Sequence, residues 1–295
     1  MLLRDAFETI QLSTPLDSDQ NTKRGRALLF VTLVVSFAVA ACGQTTTQNP
    51  LPKSSLSSTF QTLGWFNPAT PGPIDVLAVG TLTYYSPDGS TSSSVPVTIK
   101  CRGNQHFRID VNDPSGAHTT IVNGLGGTFK TADGKAHGLS ASASIGVPSP
   151  IFPFLLDELD PANPKTTVED LGIANAPPGI GQRLRVTLPT ASDFVAGLKS
   201  RASEKTLWFA ADGTPARIDF FRVASDNHFA RVPFSLVLSD YRKVGGITVA
   251  FQQLEQLDGK SMKLLTLQSV VIGPSAGISD GDFTVTTSTV AGGAQ

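Results

Sequence analysis

Four Asp-Gly pairs punctuate this chain between runs of apolar residues: Asp88-Gly89, Asp133-Gly134, Asp212-Gly213 and Asp258-Gly259. Both residues of such a pair tolerate positive φ, so the pair closes tight hairpins whose twist matches the flanking strands. One pair would say little. Four between apolar runs predict a mostly antiparallel meander. The runs themselves agree. Residues 74–85 are rich in Val, Leu, Thr and Tyr, and 94–100 return after the first turn. In 105–111, Phe107, Ile109 and Val111 alternate with Arg108 and Asp110. Strict alternation marks a strand with one face in the core. Shorter strands are predicted over 119–122 and 127–131, and 183–188 alternates basic with aliphatic residues. The last third is clearest, with strands over 206–210, 216–222, 233–241, 247–257 and 262–272, and 283–285 as a final edge segment. The chain's 27 Gly and 20 Pro, against 16% charged residues, suit many turns between short strands.

Two stretches break this rhythm. Residues 149–159, SPIFPFLLDEL, are apolar and bracketed by prolines. A short helix is predicted over 154–159, with Pro153 at its start. A second is predicted over 191–200, capped by Thr190 or Ser192 and carrying an apolar stripe of Phe194, Val195 and Leu198. Residues 44–58, rich in Thr, Ser, Pro and Asn, read as a flexible tether. The folded region is expected to begin near Phe60, with Trp65-Phe66 capping the core, and 286–295 reads as a disordered tail.

The start of the chain carries a separate message. Lys23, Arg24 and Arg26 lead into an apolar run over 27–41. That run matches a secretory h-region and falls short of the ~20 residues of a membrane-spanning helix. It closes on Val39-Ala40-Ala41-Cys42, which resembles the bacterial lipobox. The resemblance implies cleavage before Cys42 and acylation of its sulfur and its new amino group. Two or more acyl chains hold a domain stably at a membrane. Gly43-Gln44 follow, without Asp at the second position, which by the same resemblance implies the outer membrane, facing the periplasm. An ordinary secretory signal, or a short anchor, with an incidental Cys is the other reading. Residues 1–22 are polar and read as an N-terminal extension, an over-long start.

Other chemistries find little footing. The formal net charge is −1 and no basic stripe carries interleaved aromatics, so a nucleic-acid partner is not expected. Beyond Cys42 the only cysteine is Cys101, so no disulfide within the domain is available. Cys101 follows Val97 and Ile99 at strand spacing and reads as a core residue. Nucleophile-elbow, zinc-protease, Cys-x-x-Cys, Walker and dinucleotide motifs are absent from the sequence. Gly124-Leu125-Gly126-Gly127 leads into a strand rather than a helix and so reads as a turn, not a phosphate loop. His106, His118, His137 and His228 lack metal-ligand spacing, although neighbouring strands could bring His106 and His118 together. Ser279-Asp280-Gly281-Asp282 lacks the remaining ligands of a calcium loop and reads as a solvated turn. The pairs Glu158 with Asp160 and Glu169 with Asp170 read as solvated carboxylates. No catalytic residue, cofactor or metal is expected.

Three pieces of the last third carry a further resemblance: Leu207-Trp208-Phe209 with Asp212-Gly213 and Arg217-Ile218; Asp240-Tyr241-Arg242-Lys243-Val244-Gly245-Gly246-Ile247; and Val270-Val271-Ile272 running to Asp280 and Phe283. They are similar to the closing hairpins of the LolA-like superfamily of outer-membrane lipoprotein carriers and lipid-binding lipoproteins. That resemblance implies a mainly β domain over 59–285: a strongly curved antiparallel sheet, an open half-barrel, with a few short plugging helices. It also implies acyl chains bound between sheet and helices. Phe152, Phe154 and Leu155 are the candidate ligand-binding residues, read either as a core plug or as a mobile lid touching acyl chains. The expected function is a non-enzymatic envelope lipoprotein that binds a lipid or acyl chain, extending to lipid or lipoprotein transfer. The alternative is a scaffolding or stress-sensing lipoprotein with a filled core and no ligand. Its membrane partner is reached through the N-terminal lipid anchor; protein partners are not legible.

Overall fold

The computed structural model describes residues 52–64, 74–103, 106–113, 116–124, 126–139, 144, 150–156, 164–187, 204–223 and 231–285, all in one compact unit. The signal, Cys42, Trp65-Phe66, the helix predicted over 191–200 and the tail 286–295 lie outside the described residues. A single antiparallel sheet of thirteen strands forms the unit. Its first half comprises β1 (Asp75–Tyr85), β2 (Thr91–Arg102), β3 (His106–Asp113), β4 (Gly116–Asn123), β5 (Gly126–Lys130) and β6 (Ala136–Leu139). Its second half comprises β7 (Thr167–Asp170), β8 (Ile180–Thr187), β9 (Glu204–Ala210), β10 (Pro215–Val223), β11 (Arg231–Val244), β12 (Ile247–Leu257) and β13 (Lys260–Ile272).

The order across the sheet is β6-β5-β4-β3-β2-β1-β13-β12-β11-β10-β9-β8-β7. The first half thus meanders outward from the centre to one edge, and the second half meanders inward from the other. The two halves join where β13 pairs β1, with Val76 opposite Ile272 and Leu82 opposite Leu265. The edges, β6 and β7, are four residues each and do not pair with one another, so the sheet is an open half-barrel rather than a closed one. Bulges curl it. One lies at Val79/Gly80, where a side chain on Gly80 would collide with the Thr266 carbonyl oxygen of β13.

The four Asp-Gly pairs all sit at hairpin turns, but for two reasons. At Asp258-Gly259 both residues adopt positive φ, 49° and 75°, as a two-residue hairpin turn requires. At the other three only the glycine is positive. There the aspartate accepts a hydrogen bond from the backbone N–H two residues on: Ser90 at 2.9 Å, Lys135 at 3.2 Å and Thr214 at 2.9 Å. Those are Asx turns, in which the carboxylate matters as much as the backbone freedom.

Several expectations need correction. The tether expected over 44–58 ends early, because a helix, α1, spans Pro52–Thr62. Leu56, Phe60 and Leu63 recur at i, i+4 and i+7, and all three are buried in the core. Packing of this stripe outweighs the helix-neutral Ser and Thr between. The Leu63 carbonyl accepts the Thr248 N–H of β12 at 2.7 Å, and the Ser55 hydroxyl bonds Gln182 of β8 at 3.1 Å. The helix predicted over 154–159 is a single 3-10 turn, Phe154–Leu156, in its described part. The edge segment expected over 283–285 is replaced by a 3-10 turn, Asp280–Phe283, opened by a capping box at Ser279. Of the edge strands, β6 is the return of the hairpin expected at Asp133-Gly134, and β7 is not expected from the sequence.

Gly64, which ends α1 at φ 70°, would set any side chain against the Gly246 carbonyl oxygen. Gly64→Ala is therefore expected to lower stability by about 2 kcal/mol, combining left-handed strain with a backbone clash. Gly89→Ala, at φ 84° but with open space around it, is expected to lose only about 1 kcal/mol. Equal losses in urea denaturation would show that the close approach at Gly64 carries no weight.

Candidate ligand-binding face

The core lies on one face of the sheet, called inner here, and falls into two clusters. One gathers Leu184, Leu207, Ile218 and Leu236 from β8 to β11, with Leu56 and Phe60 of α1. The other gathers Val76, Ala78, Val97, Ile99, Cys101 and Phe107 from β1 to β3, with Val249 and Leu265 of β12 and β13. Cys101 is thus the core residue its spacing predicts.

The segment 151–156 belongs to both clusters. Ile151 and Phe154 pack into the second, while Phe152, Leu155 and Leu156 pack into the first. The three sequence candidates therefore share one turn, and they are sealed: Phe152 and Phe154 are 0% exposed and Leu155 is 2% exposed. Gln253, on the inner face of β12, locks the segment in place. Its Oε1 accepts the Phe152 N–H at 3.0 Å, and its Nε2 donates to the Ala250 carbonyl at 3.1 Å. A buried amide thus has both ends satisfied, which turns a costly group into a specific one. The Phe152 ring meets Tyr241 edge-on at 6.0 Å. Burial pushes the Tyr241 hydroxyl well above its ordinary value, and it donates to the Pro215 carbonyl.

Beyond this plug the inner face is less covered. Leu82, Ile109, Val111 and Phe129 are half-buried. Register places them together: Ile99, Ile109, Thr120 and Phe129 form one row across β2 to β5, and Val97 and Val111 the next. Leu82 stands between Val95 and Leu265.

An ion cluster occupies the same face toward β12 and β13. Arg222 grips both oxygens of Glu255, at 3.1 Å and 2.7 Å, and its guanidinium lies 4.1 Å from the Phe234 ring centroid. Lys263, directly opposite Glu255, approaches it at 3.3 Å. Burial raises the Glu255 pKa, but Lys263 and Arg222 outweigh it and hold the carboxyl down at about 2. Sequence reasoning missed this cluster, although a signal was present. Val249, Phe251, Gln253 and Glu255 share one parity in β12, so two polar residues occupy core positions.

The opposite face is polar and self-satisfied. Trp208 lies between the guanidinium groups of Arg183, at 5.0 Å, and Arg217, at 5.4 Å. Its Nε1–H donates to Asp219, which also accepts from Arg217 and from the Ser235 hydroxyl. Arg217, Asp219 and Ser235 line a cleft of about 340 Å³ with Thr206, Phe221 and Pro233. Because they already pair with one another, the inner face is the better candidate. On the same outer side Lys100 pairs Asp282, and Arg102 pairs Asp75 and Asp280, fastening the turn that holds Phe283. Asp280 in the expected solvated turn is exposed, but Asp282 is largely covered. Glu169 is not merely solvated either, since it bridges to Arg185 at 3.0 Å. Glu158, Asp160 and His228 lie outside the described residues. His106 and His118 do not meet: they stand opposite Asn123 and Val111, at far ends of the β3–β4 pair. Among the described residues no three His, Cys, Asp or Glu side chains converge to hold a metal.

No protein-family model matches the sequence. No curated protein matches it either. Solved structures do. A putative outer membrane lipoprotein-sorting protein domain from Vibrio parahaemolyticus is 12% identical at TM-score 0.50, covering 79% of this chain and 96% of its own. A DUF1329 family protein from Desulfovibrio piger is 13% identical at TM-score 0.50, covering 78% and 97%. A LolA superfamily protein from Nitrosomonas europaea is 12% identical at TM-score 0.46, covering 77% and 96%. The first two share this fold, the one that the closing hairpins imply; at such identity the likeness is one of fold.

The ion cluster gives the domain an acid sensitivity whose sign follows from Glu255. Its folded value, about 2, lies below its ordinary value of 4.5, so protonation favours the unfolded chain. The stabilisation, about 3 kcal/mol, is present above roughly pH 5 and is lost as pH falls toward 2. Urea denaturation across that range is expected to decline steeply in the native protein and more gently in Glu255→Gln. Parallel declines would contradict the coupling.

Proposed function

We propose that this chain is a lipid-anchored envelope protein that binds a lipid or acyl chain on the inner face of its half-barrel. The observation that carries the reading is the uneven filling of that face. The 151–156 segment plugs part of it, while Leu82, Ile109, Val111 and Phe129 remain half-buried on a mostly apolar surface that also carries Thr120 and His118, the latter stacked on Phe129 at 6.0 Å. A mostly apolar face that the described residues leave half-buried suits an apolar ligand. The reading is also supported by the fold shared with a domain described as lipoprotein-sorting. Phe152, Phe154 and Leu155 form the closed end of the site, and they touch a ligand when the segment withdraws from one of the two clusters it joins. The role is binding, with transfer of the bound lipid or lipoprotein as its extension.

Anchoring follows from Cys42. Only residues 43–51 separate it from α1, whose stripe is buried, so a domain tethered there stays within ~30 Å of the membrane surface. In bacteria, Cys42→Ser is expected to move the protein from the membrane fraction to the soluble fraction, and unchanged fractionation would contradict lipidation.

Ligand binding is tested by native mass spectrometry on residues 43–295, which retain α1, after export to the periplasm. A stoichiometric co-purified lipid is expected. A clean apo mass that takes up neither palmitate nor phospholipid would overturn the reading in favour of a scaffolding protein with a filled core.

A further inference from the structure

The Arg222, Glu255 and Lys263 cluster lies on the inner face, where Lys205 of β9 is also buried, and among the described residues it is not balanced. Two cations face one carboxylate, and Arg222 and Lys263 together hold that carboxylate ionised. The cluster therefore carries one net positive charge beside apolar side chains. Arg222 satisfies Glu255 with its two terminal nitrogens, and its Nε–H is buried without a hydrogen-bond partner among the described residues. Lys263 is held differently. Its contact with Glu255 is the longer one, at 3.3 Å, and its side chain is 39% exposed. An uncompensated cation next to apolar surface is costly unless an anion meets it.

Register shows what lies next to it. Lys263 stands opposite Tyr84 of β1, and two residues along both strands Leu265 stands opposite Leu82. Leu82 faces Val95 of β2, and Val97 faces Val111 of β3. From Lys263, Val111 lies three strand spacings across the sheet and four residues along it, in the row of Gly80, a diagonal of ~20 Å. It runs from a cation at one end to half-buried aliphatic residues at the other, the polarity of an amphiphile with a charged head.

Resting on the lipid-binding reading, we infer that the ligand is an anionic amphiphile whose oxyanion is held by Lys263 with Arg222 behind it, and whose tail lies over Leu82 and Val111. Both a fatty-acid carboxylate and a phospholipid phosphodiester supply that oxyanion. Lys263 makes the direct contact, as the exposed and loosely held cation. Arg222 positions it by occupying both oxygens of Glu255, which leaves Lys263 available to a second anion.

The test titrates residues 43–295 with matched probes: palmitate against 1-hexadecanol, and phosphatidylglycerol against phosphatidylcholine in mixed micelles. At least one anionic probe is expected to bind about tenfold or more tightly than its uncharged or zwitterionic partner. Lys263→Met is expected to remove that preference while leaving hexadecanol binding within about twofold. Lys263→Glu is expected to reverse it. Thermal melts check that both variants stay folded, with Lys263→Glu expected to melt lower than Lys263→Met because it sets a second carboxylate against Glu255. Preference for palmitate alone would assign a carboxylate head, and preference for phosphatidylglycerol alone a phosphodiester; either supports the inference. Equal binding of charged and uncharged probes would overturn it and leave lipid binding standing, as would a preference that survives in both variants. Failure of all four probes to bind would instead overturn the lipid-binding reading, and the head-group assignment with it.

Discussion

The pairing of β13 with β1 sets the rest of the structure. Because the last strand closes against the first in the middle of the sheet, both short strands β6 and β7 are left at the far edges. The chain must still travel from one edge to the other between residues 139 and 167. Laid flat, thirteen strands would span ~58 Å, and a connection of that reach over an exposed surface would bury nothing. Curling shortens the route and gives the connection an interior to cross. The IFPFLL stretch lies inside that interior, with Ile151 and Phe154 committed to one half of the core and Phe152, Leu155 and Leu156 to the other. Curvature and plug therefore depend on each other. Without the segment the two clusters would lose their shared members, and without the bulges at Gly80 and elsewhere there would be no concavity to fill.

Polar groups placed inside such a core need strong reasons. Gln253 has one, since it supplies the acceptor for Phe152 in a segment that makes no strand. Replacing it with an apolar residue would leave a buried N–H unsatisfied. The Arg222, Glu255 and Lys263 cluster has a weaker structural reason. A well-packed apolar group of similar volume is often no less stable than a buried ion pair, so conformational specificity or a ligand is the more economical explanation for its presence. The opposite face offers a contrast. There Trp208, Arg217, Asp219 and Ser235 bond one another, and Arg183 stacks on Trp208.

How far the sequence foretold this depends on how local the determining forces are. The long strands of the last third were legible because each alternates over many residues and ends at its own turn, and their registers pair as the turns require. α1 was not, because only Leu56, Phe60 and Leu63 signal it within a Ser- and Thr-rich stretch, and its stability comes from packing against strands more than a hundred residues away. The turn at Phe283 was mistaken for a strand because its determinants, Lys100 and Arg102, lie in β2. β6 and β7 are too short to show a period, and they exist because a neighbour offers an unpaired edge. Phe152, Phe154 and Leu155 were recognisable as an unusual apolar group. Their sealing between two clusters was not, because it depends on which strands surround them.

In the lipid-free protein, residues 151–156 are a shared part of the core. Hydrogen–deuterium exchange resolved at single amides measures this most directly. The Phe152 and Leu155 amides, bonded to Gln253 and Ile151, should exchange as slowly as those of the paired β1 and β13 strands, because opening them means separating both clusters. Fast exchange at these amides beside a protected β1–β13 pair would instead make the segment a lid that rests on the core without holding it together.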